Sequence, residues 1–421
     1  MAIGRPGTAP SASPVGQRAR EGDVHGVTLR GLGVARPGTS IEQHAAARHA
    51  AERCCADGEQ VAWLEQVYRQ SSVRQRGSVL IDRPAGRDAH EPTGHDATGT
   101  LYEGHAAFYP PRSDAADAGP TVDDRMAAYA RYARPLAVAA ARDAMREANV
   151  AAAEVGQLVV VSCTGFGSPG LDVHLVDALG LPRSVGRTTI GFMGCHGVIN
   201  GLRVARALSL SQPGSAVLLC AVELCSLHFQ YGWDRPNIVA NALFADGAAA
   251  AVLHAGHELT DSDGSNGGGE AWQVVDTASQ LVPDSHEAMT WTITAHGFRM
   301  TLSPRVPALI ERSLRPWLEP WLAGHGLAID AVRQWAVHPG GPRVLDAVGR
   351  SLGLADAALA TSRGVLAECG NMSSPTVLFI AERLRRAAPP GPCVMLAFGP
   401  GLMAEAALLV PGGAEPHGVG A

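Results

Sequence analysis

The stretch Thr188-Thr189-Ile190-Gly191-Phe192-Met193-Gly194-Cys195-His196-Gly197-Val198-Ile199-Asn200-Gly201-Leu202 decides how the rest of the chain is read. Apolar and β-branched residues run into two glycines and a single cysteine. Val198, Leu202, Ala205 and Leu208 then recur at helical spacing. The pattern is strand, tight turn, cysteine, buried helix. Such a turn leaves a thiol at a helix N-terminus, where unpaired N–H groups and the macrodipole favour negative charge. Cys195 is therefore expected to have a lowered pKa and to act as a nucleophile. The competing reading is a buried structural cysteine.

Composition narrows the chemistry. The chain has 421 residues, long enough for two domain-sized halves. All 34 basic residues are arginine, so a Schiff-base lysine and a phosphate-loop lysine are excluded. The formal net charge of -6 argues against a nucleic-acid partner. No apolar run suits a membrane span, and the N-terminus lacks the apolar core of a signal peptide. The eight cysteines show no metal spacing, and reduced thiols in a cytoplasm fit them best.

Along the chain, residues 1–25 read as a disordered leader rich in Pro, Gly, Ser and Arg. Residues 26–256 form a first half and 270–410 a second, separated by a Gly/Ser/Asp-rich linker at 257–269. Residues 84–120 read as a long loop anchored by Phe108 and Tyr109. A helix is expected from a Thr121 cap, kinked or split at Pro135. Residues 157–163, 216–225, 272–281 and 334–338 read as strands, 232–237 as a loop, and 306–322 as a helix that Pro316 and Pro320 interrupt. Cys393–Phe398 and Leu402–Leu409 form a hairpin around Gly399-Pro400-Gly401. Strands alternating with helices in both halves predict a layered α/β fold.

Three polar residues sit where strands end or helices begin: Cys195, His338 and Asn371. His338 precedes Pro339-Gly340-Gly341-Pro342, and Asn371 follows Gly370 and opens a helix from Ser373. Singly, His338 reads equally as a satisfied core histidine and Asn371 as a helix N-cap. Together they suggest a thiol nucleophile with two hydrogen-bond donors for a developing oxyanion.

Gly194-Cys195, Trp335-Ala336-Val337-His338-Pro339-Gly340-Gly341-Pro342, Gly370-Asn371-Met372-Ser373-Ser374-Pro375 and Phe398-Gly399-Pro400-Gly401 resemble the type III polyketide synthases of the chalcone synthase superfamily, in the bacterial manner. The resemblance spans roughly residues 27–409. It implies a thiolase fold of two similar αβαβα halves, a site buried between them, and a homodimer. It also implies acyl-CoA and malonyl-CoA as substrates, with no further cofactor and no metal. Cys195 would carry the starter and the growing chain as a thioester. His338 and Asn371 would hold the malonyl thioester oxygen as it becomes an enolate, and His338 would keep Cys195 ionised. Phe244 matches a gatekeeping phenylalanine, against the alternative of plain core packing.

Departures accompany the match. Met300 stands where plant relatives carry a second gatekeeping phenylalanine, and Cys225 and His228 where they carry cavity threonines. Trp291 replaces a cavity-floor glycine and would shorten the product, and Ala397 replaces the first glycine of the hairpin loop. Ser373 and Thr164 complete the implied cavity. The CoA-binding lysines are absent, and Arg69, Arg74 and Arg76 are the candidate substitutes, against the reading of an ordinary solvated face. The expected product is a cyclised pyrone, resorcinol or phloroglucinol. The alternatives are a single-round β-ketoacyl synthase of the fatty-acid initiation type and a non-catalytic thiolase-fold partner protein.

Overall fold

The computed structural model describes residues 26–81, 107–255, 271–387 and 391–412. The expected leader, the linker at 257–269 and residues 84–106 of the long loop lie outside them.

Strands and helices alternate in chain order. The first half holds β1 (Val27–Ala35), β2 (Ser40–Glu42), α1 (Gln43–Cys54), α2 (Gly58–Gln70), β3 (Gln75–Gly77), α3 (Val122–Glu147), β4 (Val155–Ser162), α4 (Leu171–Leu179), β5 (Gly186–Gly191), α5 (Gly197–Ser211), β6 (Ala216–Leu224), α6 (Arg235–Leu243) and β7 (Asp246–Ala255). The second holds β8 (Trp272–Leu281), β9 (Met289–Thr294), β10 (Gly297–Leu302), α7 (Val306–Gly324), β11 (Gln334–Val337), α8 (Pro342–Leu352), α9 (Ala360–Cys369), α10 (Thr376–Ala387), β12 (Cys393–Gly399) and β13 (Met403–Pro411).

Nine of the described strands hydrogen-bond in the order β11-β12-β13-β8-β1-β7-β6-β4-β5. The halves meet at β1 and β8 through only two residue pairs, Thr28 with Gln273 and Leu29 with Trp272. Strand periodicity sorts the core into layers. Val159, Val161, Leu219 and Ala251 share the central layer with α5 and α10, and so do Met395 and Ala407 from the other half. Leu158, Val160, Leu218 and Ala250 face outward onto α3. Val394, Leu396, Ala406 and Leu408 face outward onto α7 and α8. The result is the five-layered αβαβα thiolase fold.

Small residues let the layers close. Gly31 and Gly33 of β1 lie so near α3 that an added Cβ would stand 2.2 Å from the Ala144 carbonyl and 2.1 Å from that of Ala140. Helix α3 begins with a capping box between Thr121 and Asp124.

Several expectations need correction. Pro135 does not split α3, and Pro316 and Pro320 lie inside a continuous α7. All three prolines are exposed. Each frees a carbonyl that water can satisfy, so the helix continues. Residues 232–237 are only partly loop, because α6 starts at Arg235. Its cap is Asp234, which accepts the Asn237 N–H at 2.9 Å. Asn371 does not open a helix at Ser373. Its side-chain oxygen instead accepts the Ser373 N–H at 2.8 Å, and α10 starts at Thr376.

Candidate active site

Three elements deliver three side chains to one place. The β5–α5 turn presents Cys195, with Gly194 at φ 81°. A Cβ on Gly194 would lie 2.4 Å from Pro400 Cδ, so glycine is required both for the turn and for the close approach of the β12–β13 hairpin. His338 follows the last residue of β11, its N–H bonded to the Leu396 carbonyl at 2.8 Å. Asn371 is fixed as a single β-bridge to Phe244. Its N–H donates to the Leu243 carbonyl and its carbonyl accepts from Ala245, both at 2.9 Å.

Cys195, His338 and Asn371 are 4%, 1% and 1% exposed and line one small cavity of about 20 Å³ with Phe244, Met300 and Phe398. Beyond Ala240, Phe244 and Met300, which belong to both, lies an outer cavity of about 70 Å³ walled by Cys225, His228, Trp291 and Phe298. On the solvent side a groove of about 440 Å³ shares Leu243, Leu302, Gly340 and Val344 with the inner cavity. The groove and the outer cavity each border the inner cavity through these shared residues.

The electrostatics overturn one expectation. Burial pushes the Cys195 thiol up to about 12, against hydrogen bonds from Ser373 and Asn371. Burial likewise lowers His338 to about 3, aided by neighbouring His196. Burial therefore favours the neutral form of both groups, thiol and imidazole. The helix terminus is real, with Gly197 opening α5, but desolvation of the charged form outweighs it. Neither nitrogen of His338 has a hydrogen-bond partner among the described residues. Ser373, strained at φ 55°, donates to Cys195 Sγ at 3.5 Å.

The remaining sequence candidates divide. Phe244 and Met300 form the wall between the two cavities. Trp291 is pinned in the outer one, its indole N–H donating to the Cys163 carbonyl at 2.8 Å. His228 stacks on Phe298 at 4.2 Å, donates from Nε2 to the Thr164 carbonyl at 2.7 Å and accepts the Phe298 N–H at 3.0 Å. Cys225 lines the outer cavity, while Thr164 lines neither. Thr164 donates to Glu223 at 2.7 Å and accepts from Leu224.

The basic cluster is split: Arg69 and Arg74 line none of the three spaces, whereas Arg76 lines the outer cavity. Arg69 and Arg74 are exposed and paired with Glu65 and Glu368. Arg76 is buried and donates to the carbonyls of Asn241 and Phe244, holding the Phe244 backbone. The cations that line the groove are Arg235 and Arg343.

Sequence reasoning missed Glu223. This 0% exposed carboxyl on β6 accepts from Cys163 N–H and thiol, Thr164 and Ser374. It ties the end of β4 to the loop that carries Asn371. Its signal was present, as one acid in the apolar run Ala216–Leu224. A second such acid, Glu405 on β13, closes a line from His196 through Asn200 to Arg203.

Known proteins match this chain along most of its length. The family model for chalcone and stilbene synthases, N-terminal domain, covers residues 111–257, and that for the C-terminal domain covers 273–411. A 1,3,6,8-tetrahydroxynaphthalene synthase of Streptomyces peucetius subsp. caesius is 34% identical over 398 residues, 92% of this chain and 95% of the relative. The alpha-pyrone synthesis polyketide synthase-like Pks18 of Mycobacterium tuberculosis (strain ATCC 25618 / H37Rv) is 34% identical over 294 residues, 68% of this chain and 73% of its own. Among solved structures, PKS-I of the brown alga Ectocarpus siliculosus superposes with a TM-score of 0.79 at 31% identity, covering 93% of this chain and 100% of that one.

Proposed function

Because this chain belongs to the chalcone and stilbene synthase family and is a type III polyketide synthase, an acyltransferase, we propose that Cys195, His338 and Asn371 are its reacting groups. The observation that carries this is their convergence, from three separate elements, on one buried cavity.

The thiol passes its proton to the neutral His338 imidazole, and the sulfur attacks an acyl-CoA carbonyl. CoA leaves as its thiolate and takes up the proton. Malonyl-CoA then places its thioester oxygen against N–H groups of His338 and Asn371. The bond to the carboxylate breaks, carbon dioxide leaves, and the electron pair forms an enolate whose oxygen these donors hold. One such donor is worth about 3 kcal/mol. The enolate carbon attacks the acyl group on Cys195, the sulfur departs, and the chain is two carbons longer on CoA. Return to Cys195 starts another round. The Phe244 ring is an apolar wall that disfavours the malonyl carboxylate and so favours its loss.

The groove takes the CoA arm, with Arg235 and Arg343 in place of Arg69, Arg74 and Arg76 as phosphate ligands. Trp291 caps the outer cavity and limits the number of rounds before a pyrone, resorcinol or phloroglucinol is released, so Trp291→Gly lengthens the product. Residues 26–256 bring the nucleophile and 270–410 the two donors. The chain acts as a homodimer: β5 is an edge strand whose alternate residues are exposed, and Phe166 and Met193 beside it are 43% and 38% exposed. Among the described residues no helix is long and apolar enough to cross a membrane.

Incubation with malonyl-CoA and a panel of short, long and aromatic acyl-CoAs, read by mass spectrometry, tests the reading. Iterated products that vanish in Cys195→Ala support it. Single condensations that require a carrier protein would replace it with the β-ketoacyl synthase alternative.

A further inference from the structure

The outer cavity is lined by a hydroxyl whose proton the protein itself does not use. Much of its polar lining is committed. Asn241 binds both the N–H and the carbonyl of Gln230 through its amide. Ser78 donates to Ser226, which donates to Asp246. His228 spends both ring nitrogens. Tyr68 of α2 differs. It lines the outer cavity and not the inner one, it is 1% exposed, and its hydroxyl, beside the Arg76 guanidinium, donates its own proton to no acceptor among the described residues.

A buried O–H that finds no acceptor is destabilising, so its retention at a cavity wall points to a ligand atom. The surroundings say which kind. The Arg76 guanidinium carbon lies 5.6 Å from the Tyr68 ring centroid. A positive neighbour polarises the O–H bond and makes it a better donor, which suits an oxygen acceptor and not another donor. The wall nearest the thiol is apolar, formed by Ala240, Phe244 and Met300. A chain tethered to Cys195 that passes this wall moves from hydrocarbon surroundings towards a hydroxyl donor. The space is about 70 Å³, which suits a few heavy atoms and not a long alkyl or fused aromatic group.

Resting on the reading above that the acyl chain occupies this cavity, we propose that Tyr68 recognises an oxygen at the far end of a short acyl chain. The acyl group this enzyme selects is therefore short and carries a carbonyl oxygen near its far end. A growing poly-β-oxo chain meets the requirement, since a carbonyl recurs at every second carbon, whereas a saturated chain does not.

The test compares two CoA thioesters of equal carbon number, acetoacetyl-CoA and butyryl-CoA, as starters with malonyl-CoA. Full-length wild type and Tyr68→Phe are used, and the readout is the ratio of the two kcat/KM values, in which the fraction of folded enzyme cancels. Wild type is expected to favour acetoacetyl-CoA by about tenfold or more, and Tyr68→Phe to erase most of that preference through the acetoacetyl arm. An unchanged ratio in the variant, a wild-type ratio near one, or equal use of dodecanoyl-CoA overturns the assignment. In those outcomes the enzyme still condenses, so only the Tyr68 proposal falls. Absence of product and of Cys195 acylation with every thioester removes the catalytic reading, and this one with it.

Discussion

Glu223 and His338 are buried alike, 0% and 1% exposed, yet the fold treats them in opposite ways. Around Glu223 the donors crowd: the Cys163 N–H and thiol, Thr164 and Ser374 all point at one carboxyl. Around His338 they are missing, and the residue lines the cavity that holds Cys195. Burial raises the one acid and lowers the other base, so the pKa shifts alone do not separate their roles. Hydrogen-bond accounting does. A saturated group has nothing left for a substrate and serves the architecture. An unsaturated one carries a cost in stability that a reaction can use.

The largest effect expected on the cavity side is for Cys195→Ala, which removes the attachment point. Polyketide formation falls by at least about ten-thousandfold in a malonyl-CoA assay, with the melting temperature unchanged. Next come the donors. Asn371→Leu and His338→Gln each lower kcat by roughly a hundred to a thousandfold, with little change in urea midpoint. If either variant unfolded the protein instead, the contrast with Glu223 would break.

The saturated side responds in the other coin, stability. Glu223→Leu orphans several buried donors and costs about 3 kcal/mol in urea unfolding. A variant of unchanged stability but no activity would move Glu223 into the reacting set.

Acid unfolding sharpens the comparison further. His338 and His228 titrate near 3 in the fold against an ordinary 6.5. Below pH 6.5 the unfolded chain binds protons that the folded chain refuses. Stability is whole above about pH 7 and is lost as pH falls towards 3, by about 2 kcal/mol per histidine at pH 5. The drop in urea midpoint between pH 7.5 and 5 is therefore smaller in His338→Gln than in wild type. Equal drops would mean that His338 is not held neutral.

Much of this was legible in the sequence, for local reasons. Gly194 marks its own turn, the Gly399-Pro400-Gly401 hairpin marks the C-terminal pairing, and the family motifs located His338 and Asn371 together. What failed depended on distant neighbours. The sign of the Cys195 shift is set by burial, which outweighs the hydrogen bonds from Ser373 and Asn371. Arg76 reads as a surface cation until the carbonyls of Asn241 and Phe244 are found around it. Prolines 135, 316 and 320 read as helix breakers because the sequence does not say which face meets water. Helix α6 was missed although Asp234 and Pro236 announce it, since tryptophan and glycine just before them suggested a loop. Strand β9, which carries Trp291, was missed because only Met289 of its six residues is buried.

The contact between Gly194 and Pro400, where no Cβ would fit, has a consequence for how the protein is made. The turn bearing the thiol is wedged by a hairpin synthesised some two hundred codons later. During translation the nucleophile therefore leaves the ribosome without its lid, and acquires a working environment only after the final strand docks. A chain cut short before that hairpin would carry the cysteine but have no catalytic centre around it.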